Sequence, residues 1–190
     1  MQTEKEKMLA GELYYAYDPQ LVQERRKARN LFREYNNTLD EEQEKRRQIL
    51  SALLGGMGEN VLIEPPFFCD YGSNIYLGRN VFFNFNCVVL DVNRVEVGED
   101  TLFGPNVQIY TATHPVDYQE RMSGLELGKA IRIGSGVWVG GSAVIGPGVS
   151  IGSRSVIGAG SVVVKDIPQG VFAAGNPCKV IRYLEQTNLA

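Results

Sequence analysis

His114 is the single histidine in a chain of 190 residues, and it lies in the sequence Thr111-Ala-Thr-His-Pro-Val116. An imidazole accepts a proton near neutral pH, so His114 is a candidate general base for attack of a hydroxyl or amine on a carbonyl. A zinc hydratase would require three histidine ligands, so no metal site is expected. An isolated histidine more commonly makes a structural hydrogen bond in a loop, so its surroundings must decide.

His114 interrupts a six-residue repeat that must position it. The repeat is led by apolar residues at Leu77, Phe83, Val89, Val97, Phe103, Ile109, Ile133, Val139, Ile145, Ile151, Ile157 and Val163. Each hexad supplies a short strand and a turn, and alternation along the strand points the first and fifth residues inward. Glycine at most second positions predicts tight or positive-φ corners. Three hexads close a triangular coil of about eighteen residues, which predicts a mainly β fold, a parallel β-helix of hexapeptide repeats.

The chain divides into three predicted parts. Residues 1–54 are expected to form an N-terminal α-helical cap, in which Asp18-Pro19 begins a helix. Residues 55–168 form the β-helix, except that residues 115–130 lack the repeat and are expected to protrude as a loop directly after His114. Residues 169–190 form a C-terminal segment with a short closing helix.

Composition excludes several classes of function. A formal net charge of −3 and a pI near 5.3 argue against a nucleic-acid partner. No apolar run reaches the roughly twenty residues that a membrane span needs, and the first residues do not resemble a signal peptide. Three cysteines without CxxC spacing fit a reducing cytoplasm.

The outward sixth hexad position is mostly apolar. It is occupied by Phe82, Val88, Leu102, Trp138, Val144, Val156 and Val162. A stripe of this length is not expected to face water, so we expect a homo-oligomer with His114 in or beside the groove between subunits. The alternative is a flank covered by the chain's own N-terminal helices.

Five segments together resemble the maltose and galactoside O-acetyltransferases, a family of hexapeptide-repeat acyltransferases. They are Glu64-Pro-Pro-Phe-Phe-Cys-Asp-Tyr-Gly72, Asn84-Phe-Asn-Cys-Val-Val-Leu-Asp91, Thr113-His-Pro-Val116, Gly136-Val-Trp-Val-Gly-Gly141 and Gly175-Asn-Pro-Cys-Lys179. The resemblance covers nearly the whole chain. It implies a left-handed β-helix, a homotrimer with three sites between subunits, and transfer of acetyl from acetyl-CoA to a sugar hydroxyl without a metal. It also implies that His114 deprotonates the acceptor directly in a ternary complex.

The resemblance assigns three residues to the acceptor. Asn84 stands where most hexads have a corner glycine, and its amide can hold the acceptor hydroxyl, although asparagine also simply forms turns. Asp70 corresponds to a sugar-contacting position, and a carboxylate suits vicinal hydroxyls. Arg25 is expected to reach the sugar from the helical cap. An exposed turn and a solvated helix face are the alternatives for Asp70 and Arg25.

Two further positions bear on which sugar is bound. Galactoside enzymes tend to carry tyrosine where Phe82 stands and methionine where Glu126 stands, so the resemblance favours glucose or maltose as the acceptor. Glu126 can orient or polarise His114, or it can be an ordinary loop carboxylate. Asp18 lies slightly out of register with a sugar-contacting aspartate of the galactoside branch, which leaves its role open.

The donor acetyl-CoA is expected to lie along outward and corner positions. The predicted contacts are Trp138, Gly140, Gly141, Ser142, Ala159, Gly160, Lys165, Lys179 and Arg182. Small residues admit the pantetheine arm, and the amide of Gly141 or Ser142 can stabilise the developing oxyanion. The three cations suit the phosphates of coenzyme A. Hexad geometry and ordinary surface charge are the alternatives for these residues.

Two other functions remain open at this point. One is an acetyltransferase that acts on a non-sugar hydroxyl or an amine. The other is a catalytically silent trimeric β-helix that serves as a binding module, against which the combination of His114 and Asn84 argues.

Overall fold

A computed structural model describes residues 2–185. Four helices are present in this part of the chain: α1 Glu4–Ala10, α2 Pro19–Asn36, α3 Gln43–Leu53 and α4 Tyr118–Arg121. The predicted start of α2 is confirmed, because the Asp18 carboxylate accepts hydrogen bonds from the N–H groups of Gln20 and Leu21 and proline follows it directly. None of the helices within residues 2–185 has the length and apolar character needed to cross a membrane.

Short strands account for most of the rest. They are β1 Tyr14–Tyr15, β2 Gly56–Met57, β3 Leu62–Ile63, β4 Phe67–Cys69, β5 Ile75–Leu77, β6 Phe82–Phe83, β7 Cys87–Leu90, β8 Val95–Val97, β9 Leu102–Phe103, β10 Gln108–Tyr110, β11 Ala112–Thr113, β12 Leu125–Gly128, β13 Ile131–Ile133, β14 Trp138–Val139, β15 Val144–Ile145, β16 Ser150–Ile151, β17 Val156–Ile157, β18 Val162–Val163, β19 Val171–Ala174 and β20 Lys179–Tyr183.

All of these strands except β1, β11 and β12 stack into three sheets, which form the sides of a triangular solenoid. Face 1 has the order β2-β5-β8-β13-β16, face 2 has β3-β6-β9-β14-β17-β19-β20, and face 3 has β4-β7-β10-β15-β18. Within these three sheets, neighbouring strands run parallel except for β19 and β20, which are antiparallel. Hexad leads stack in register, for example Phe83 on Phe103. The predicted mainly β solenoid of hexapeptide repeats is confirmed.

The inward positions form the core. The side chains of Phe83 and Phe103 are buried and stack with their ring centroids 4.1 Å apart. The small fifth-position residues Thr101 and Ser155 are buried as well, and their hydroxyls donate to the carbonyls of Gly134 and Pro168. These polar groups therefore occupy the narrow corners without losing their hydrogen bonds.

The backbone at the corners differs from the expectation for glycine. Within residues 2–185 no second-position glycine has positive φ. Positive φ falls instead at the fourth position, as at Asn80 (56°) and Asn86 (59°). A Cβ added at Gly98 would lie 2.5 Å from the nitrogen of Ser135 in the next coil. Second-position glycine therefore allows the coils to stack closely, while asparagine tolerates the left-handed turn.

Replacing Gly98 with alanine is expected to lower the free energy of unfolding by about 1–3 kcal/mol, because the new methyl group pushes two coils apart. Gly146→Ala is the matched control at the same hexad position, since its Cβ would first meet the Val163 oxygen at 3.2 Å. Denaturant unfolding at one fixed protein concentration measures both. A loss at Gly98 no larger than that at Gly146 would contradict this explanation.

The three faces differ in polarity. Face 1 carries ion pairs between Arg94 and Glu96 and between Arg132 and Glu96. Face 2 is apolar and open, with Leu102 47% and Trp138 54% exposed. Face 3 is also mainly apolar. The N-terminal helices reach this surface at Phe68, which packs edge-on against Phe32 of α2, but they leave Leu102 and Trp138 uncovered. The chain's own helices therefore do not cover the stripe.

Two irregular segments depart from the predictions. Between residues 115 and 130, the exposed stretch around Val116 protrudes as predicted, but β12 folds back and pairs with β11 and β1 in a fourth, antiparallel sheet. The predicted closing helix is wrong over Lys179–Tyr183, which form strand β20 along the edge of face 2. The strand pairs with β19 because that edge would otherwise leave its backbone groups unpaired. Residues 186–190 lie outside the described part.

Candidate active site

His114 follows the antiparallel sheet β1-β12-β11, which projects beyond the corner where face 3 meets face 1. Strand β11 ends at Thr113, which pairs with Leu127 of β12, so His114 is the first residue beyond this pairing and Glu126 is the residue before Leu127. Extending the register by one residue would bring His114 opposite Glu126. Directly opposed residues of antiparallel strands share one face and have Cβ atoms about 4.5–5.5 Å apart. His114 is exposed and Glu126 half-buried. His114 and Glu126 therefore lie at neighbouring positions of one strand pair, without a hydrogen bond or ion pair between them in the described residues.

A cavity of about 410 Å³ opens beside Glu126. Its walls are Tyr14, Ala16, Tyr17, Val22, Arg25, Arg26, Arg29, Asp70, Tyr71, Val92 and Glu126. They come from the N-terminal segment, helix α2, the turn after β4 and strand β12. Guanidinium, carboxylate and phenol groups thus surround one opening, which suits a small ligand with many hydroxyl groups. His114 does not line the cavity but lies across the strand pair from Glu126.

Arg25 holds one wall of this cavity. Its Nη1 donates to the Tyr71 hydroxyl and its Nη2 to the Ala16 carbonyl, each at 2.6 Å. The guanidinium also lies 5.6 Å from the centroid of the Tyr71 ring. Arg25 therefore joins α2 to the turn after β4. It lines the cavity, but its guanidinium also has a structural role, because it is already hydrogen-bonded within the protein.

The buried carboxylate of Asp91 positions the opposite wall. Its Oδ1 accepts hydrogen bonds from the backbone N–H groups of Asp70 (3.0 Å) and Tyr71 (2.9 Å), and its Oδ2 accepts one from Asn74 (3.2 Å). Burial raises the pKa of Asp91 to about 7, against the opposing effect of these amide hydrogen bonds. Burial also raises the pKa of Asp70, and Arg25 and Arg29 oppose that shift. The turn that carries Asp70 is fixed from inside the solenoid.

The raised pKa of Asp91 predicts a pH-dependent stability. An aspartate in the unfolded chain releases its proton near pH 4, whereas folded Asp91 releases it at about pH 7. Between these values the folded state holds the additional proton, so the stability contributed by Asp91 declines as the pH rises, by at most about 1.4 kcal/mol per pH unit. Unfolding of the wild type and of Asp91→Asn, compared from pH 4 to 7.5, measures this contribution. A wild-type free energy of unfolding that rose with pH relative to that of Asp91→Asn would contradict the assignment.

The corner between faces 2 and 3 holds a second group of predicted residues. Asn84 follows β6 there, and its Oδ1 accepts a hydrogen bond from the Phe85 N–H at 2.7 Å. Its Nδ2 has no hydrogen-bond partner within residues 2–185, so it can donate to a ligand. Gly140, Gly141, Ser142, Ala159 and Gly160 occupy the same corner two and three coils further along.

The backbone amides at this corner are not equivalent. The Ser142 N–H donates to the Pro105 carbonyl at 2.8 Å, and the Gly160 N–H donates to the Gly141 carbonyl at 2.9 Å. The N–H groups of Gly141 and Ala159 have no acceptor in the described part of the chain. Of the two amides predicted to stabilise an oxyanion, the Ser142 amide is therefore already engaged, and only that of Gly141 is available.

The remaining predicted donor and acceptor contacts are spread over two places. Phe82 and Trp138 lie on face 2, in one row with Leu102. Lys179 and Arg182 are exposed on β20 at the edge of that face. Lys165 follows β18 at the corner of faces 3 and 1. One chain does not gather the three cations, because Lys165 lies at the opposite end of face 3 from Lys179.

The predicted site residues thus fall into two groups within one chain. His114, Glu126 and Asp70 are near the corner of faces 3 and 1, and Asn84 and Gly141 are at the corner of faces 2 and 3. The strands of face 3 separate these corners. Strand β7 has 4 residues, which at about 3.3 Å per residue span about 13 Å. One chain does not bring His114 and Asn84 together.

Comparison with known proteins identifies the family. The family model described as the maltose acetyltransferase hexapeptide capping motif matches residues 7–58, and the bacterial transferase hexapeptide model of six repeats matches residues 130–165. The galactoside O-acetyltransferase of Escherichia coli strain K12 is 43% identical over 177 residues, which cover 93% of this chain and 87% of that protein. The chain belongs to the maltose and galactoside O-acetyltransferase family.

Solved structures of this family show the same fold. A maltose O-acetyltransferase from Clostridium difficile 630 is 52% identical with a TM-score of 0.96, over 97% of this chain and 99% of that one. A hexapeptide-repeat acetyltransferase from Vibrio cholerae O1 biovar eltor, complexed with acetyl coenzyme A, is 38% identical with a TM-score of 0.91, over 97% and 100% of the two chains. The protein is therefore an acetyltransferase of this family.

Some residues of this acetyltransferase cavity were not predicted from the sequence. Tyr14, Tyr71, Arg26 and Arg29 line it, and of these only Tyr71 belongs to a segment that carries the family resemblance. Arg29 lies on the same helix face as Arg25, four residues further, so helical spacing from Arg25 was a usable signal for Arg29. That spacing does not indicate Arg26, which is the residue directly after Arg25. Within residues 2–185, no group of three or more His, Cys, Asp or Glu side chains is arranged to hold a metal ion.

Proposed function

We propose that this acetyltransferase transfers acetyl from acetyl-CoA to a hydroxyl of glucose, maltose or a related sugar. The observation that carries the proposal is the polar cavity beside Glu126, because Glu126 lies on β12 and this strand pairs with β11, which leads directly into His114. Hydroxyl-rich ligands need many hydrogen-bonding partners, and this cavity supplies carboxylate, guanidinium and phenol groups. The Clostridium difficile relative is named a maltose O-acetyltransferase, which agrees with the acceptor class.

The mechanism is direct transfer in a ternary complex. His114 accepts the proton of the acceptor hydroxyl while the oxygen of that hydroxyl attacks the thioester carbonyl. Glu126 orients the imidazole. The Gly141 N–H stabilises the tetrahedral oxyanion, and the Asn84 amide holds the acceptor hydroxyl. Collapse breaks the carbon–sulfur bond, the His114 imidazolium returns the proton to the departing thiolate, and the products are the O-acetyl sugar and free coenzyme A.

The corner of faces 2 and 3 fits the donor. The unpaired N–H of Ala159 can donate to an amide carbonyl of the pantetheine arm, and the small residues around it admit the arm. Trp138 offers an exposed indole beside this path. Lys179 and Arg182 lie at the end of the path and suit the phosphates. A Vibrio cholerae relative binds acetyl coenzyme A in its solved structure, which supports this donor.

The proposed active unit is a homotrimer with its sites between subunits. The separation of His114 from Asn84 by the width of face 3 supports it, because a site that needs both must take them from two chains. The two apolar faces of the solenoid support it as well, since packing face 2 of one subunit against face 3 of the next would cover Leu102 and Trp138. Lys165 then approaches the donor from the neighbouring subunit. Three buried free cysteines fit a cytoplasmic protein.

Release of free thiol from acetyl-CoA tests the proposal. Purified protein is assayed with glucose, maltose, a galactoside, serine and an amine acceptor, and the product is identified by mass. We expect turnover with glucose or maltose to exceed turnover with the other acceptors. Turnover with serine or the amine alone would move the protein to a non-sugar acceptor, and no turnover with any acceptor would favour the silent binding module.

A further inference from the structure

A third side chain joins the pair of His114 and Glu126. Strand β1 pairs with β12 so that Tyr14 is directly opposite Glu126, and the Tyr14 hydroxyl donates to Glu126 Oε2 at 3.1 Å. Strand β11 pairs with the other side of β12 and ends one residue before His114, so extending that register by one residue gives a row of Tyr14, Glu126 and His114 across the three strands. Opposed side chains in such a row share one face of the sheet.

The Tyr14 hydroxyl is suited to donate and not to ionise. Its side chain is fully buried. Burial and the nearby Glu126 carboxylate raise the pKa of Tyr14 well above its usual range. The phenol therefore stays protonated, and its hydrogen bond to the carboxylate is charge-assisted.

The strand that carries Tyr14 is itself held firmly. The Tyr15 N–H donates to the Glu4 carboxylate of α1 at 2.5 Å, and Arg25 of α2 donates to the Ala16 carbonyl. Asn93, at the corner of faces 3 and 1, donates through its Nδ2 to carbonyls of α1 and of β12. The N-terminal helices thus fix the position of the phenol relative to the solenoid.

We propose that Tyr14 is a positioning residue for the transfer reaction, which holds the Glu126 carboxylate in the orientation that aligns His114. This inference rests on the proposed function, because it assigns Tyr14 to the same base. The N-terminal cap then takes part in the reaction through Tyr14. Removing the Tyr14 hydroxyl is expected to change the orientation of the His114 imidazole, although the hydroxyl does not contact the imidazole.

The kinetic test is a double-mutant cycle of Tyr14→Phe and Glu126→Gln. We expect Tyr14→Phe to lower kcat about 10-fold, in keeping with the loss of a hydrogen bond to a charged group, and to leave KM for acetyl-CoA unchanged. In the Glu126→Gln background, Tyr14→Phe is expected to lower kcat less than about 2-fold. Equal losses in both backgrounds would mean a merely structural tyrosine and would overturn the proposal. Tyr35→Phe is the matched control. It also removes a buried tyrosine hydroxyl, which donates to the Ile63 carbonyl and lies far from this row.

A second readout needs no turnover. His114 is the single histidine of the chain, so protein expressed without a histidine tag gives one set of imidazole ¹⁵N signals. We expect Tyr14→Phe to move these signals in the same direction as Glu126→Gln, and the double variant to match Glu126→Gln alone. A Tyr14→Phe spectrum that superimposes on that of the wild type would overturn the proposal.

The two proposals fail in different ways. If Glu126→Gln changes neither kcat nor the His114 signals, the role of Glu126 in the proposed function is wrong, and the role of Tyr14 is wrong with it. If Glu126→Gln changes both and Tyr14→Phe changes neither, the proposed function stands and only the inference about Tyr14 is wrong.

Discussion

His114→Ala is expected to lower kcat for sugar acetylation by about 100- to 10,000-fold, the usual contribution of a general base. The loss has a simple cause, because the chain has no second histidine to accept the proton of the acceptor hydroxyl. Thiol release from acetyl-CoA, with glucose or maltose as acceptor, measures it. The KM for acetyl-CoA is expected to stay unchanged, since the imidazole of His114 is not among the proposed donor contacts.

The control for this variant is a measurement of its thermal stability. His114 is exposed and makes no hydrogen bond within residues 2–185, so removing the imidazole is expected to leave the thermal unfolding midpoint within about 1 °C. A variant that unfolded early would make the loss of activity uninformative, and His114→Gln would then replace it. Activity within a factor of about 3 of the wild type would remove His114 as the base.

The repeat made most of the fold predictable. Six-residue spacing fixes which residues point inward, and the buried leads such as Phe83 and Phe103 follow it directly. Corner conformation was not predictable in the same way, because glycine is compatible both with positive φ and with close backbone contact. The distinction depends on the distance between coils, as at Gly98 and Ser135, which no single hexad encodes.

The site was predictable only where a local motif marked it. His114 and Asn84 stand in recognisable segments, but the contact of Tyr14 with Glu126 joins residues 112 positions apart, and only the pairing of β1 with β12 creates it. The C-terminal segment shows the same limit for secondary structure. A short closing helix was expected there, but the open edge of face 2 provided backbone partners for β20. In both cases tertiary contacts decided what local sequence left open.

Mixed trimers of two inactive variants are expected to recover activity. If each site takes His114 from one subunit and Asn84 from the next, His114→Ala and Asn84→Ala chains mixed in equal amounts form some sites with both residues intact. In a ring of three head-to-tail contacts, every trimer that contains both variants has one contact that joins an intact His114 to an intact Asn84, so one of its three sites is complete. Co-expression of differently tagged variants, purification of the mixed species and the thiol assay are therefore expected to give about a third of wild-type activity.

A matched mixture distinguishes shared sites from other causes of recovery. His114 directly follows β11, and Glu126 lies on β12, the strand that pairs with β11 in the same chain, so every site receives both residues from the same subunit. Mixing His114→Ala with Glu126→Gln therefore creates no complete site, and activity is expected to remain at the mean of the two single variants. Recovery in this mixture, or no recovery when Asn84→Ala is mixed with His114→Ala, would show that the subunits do not divide the site along face 3. The width of that face is what makes the prediction specific, because a strand of 4 residues keeps Asn84 about 13 Å or more from the base in its own chain.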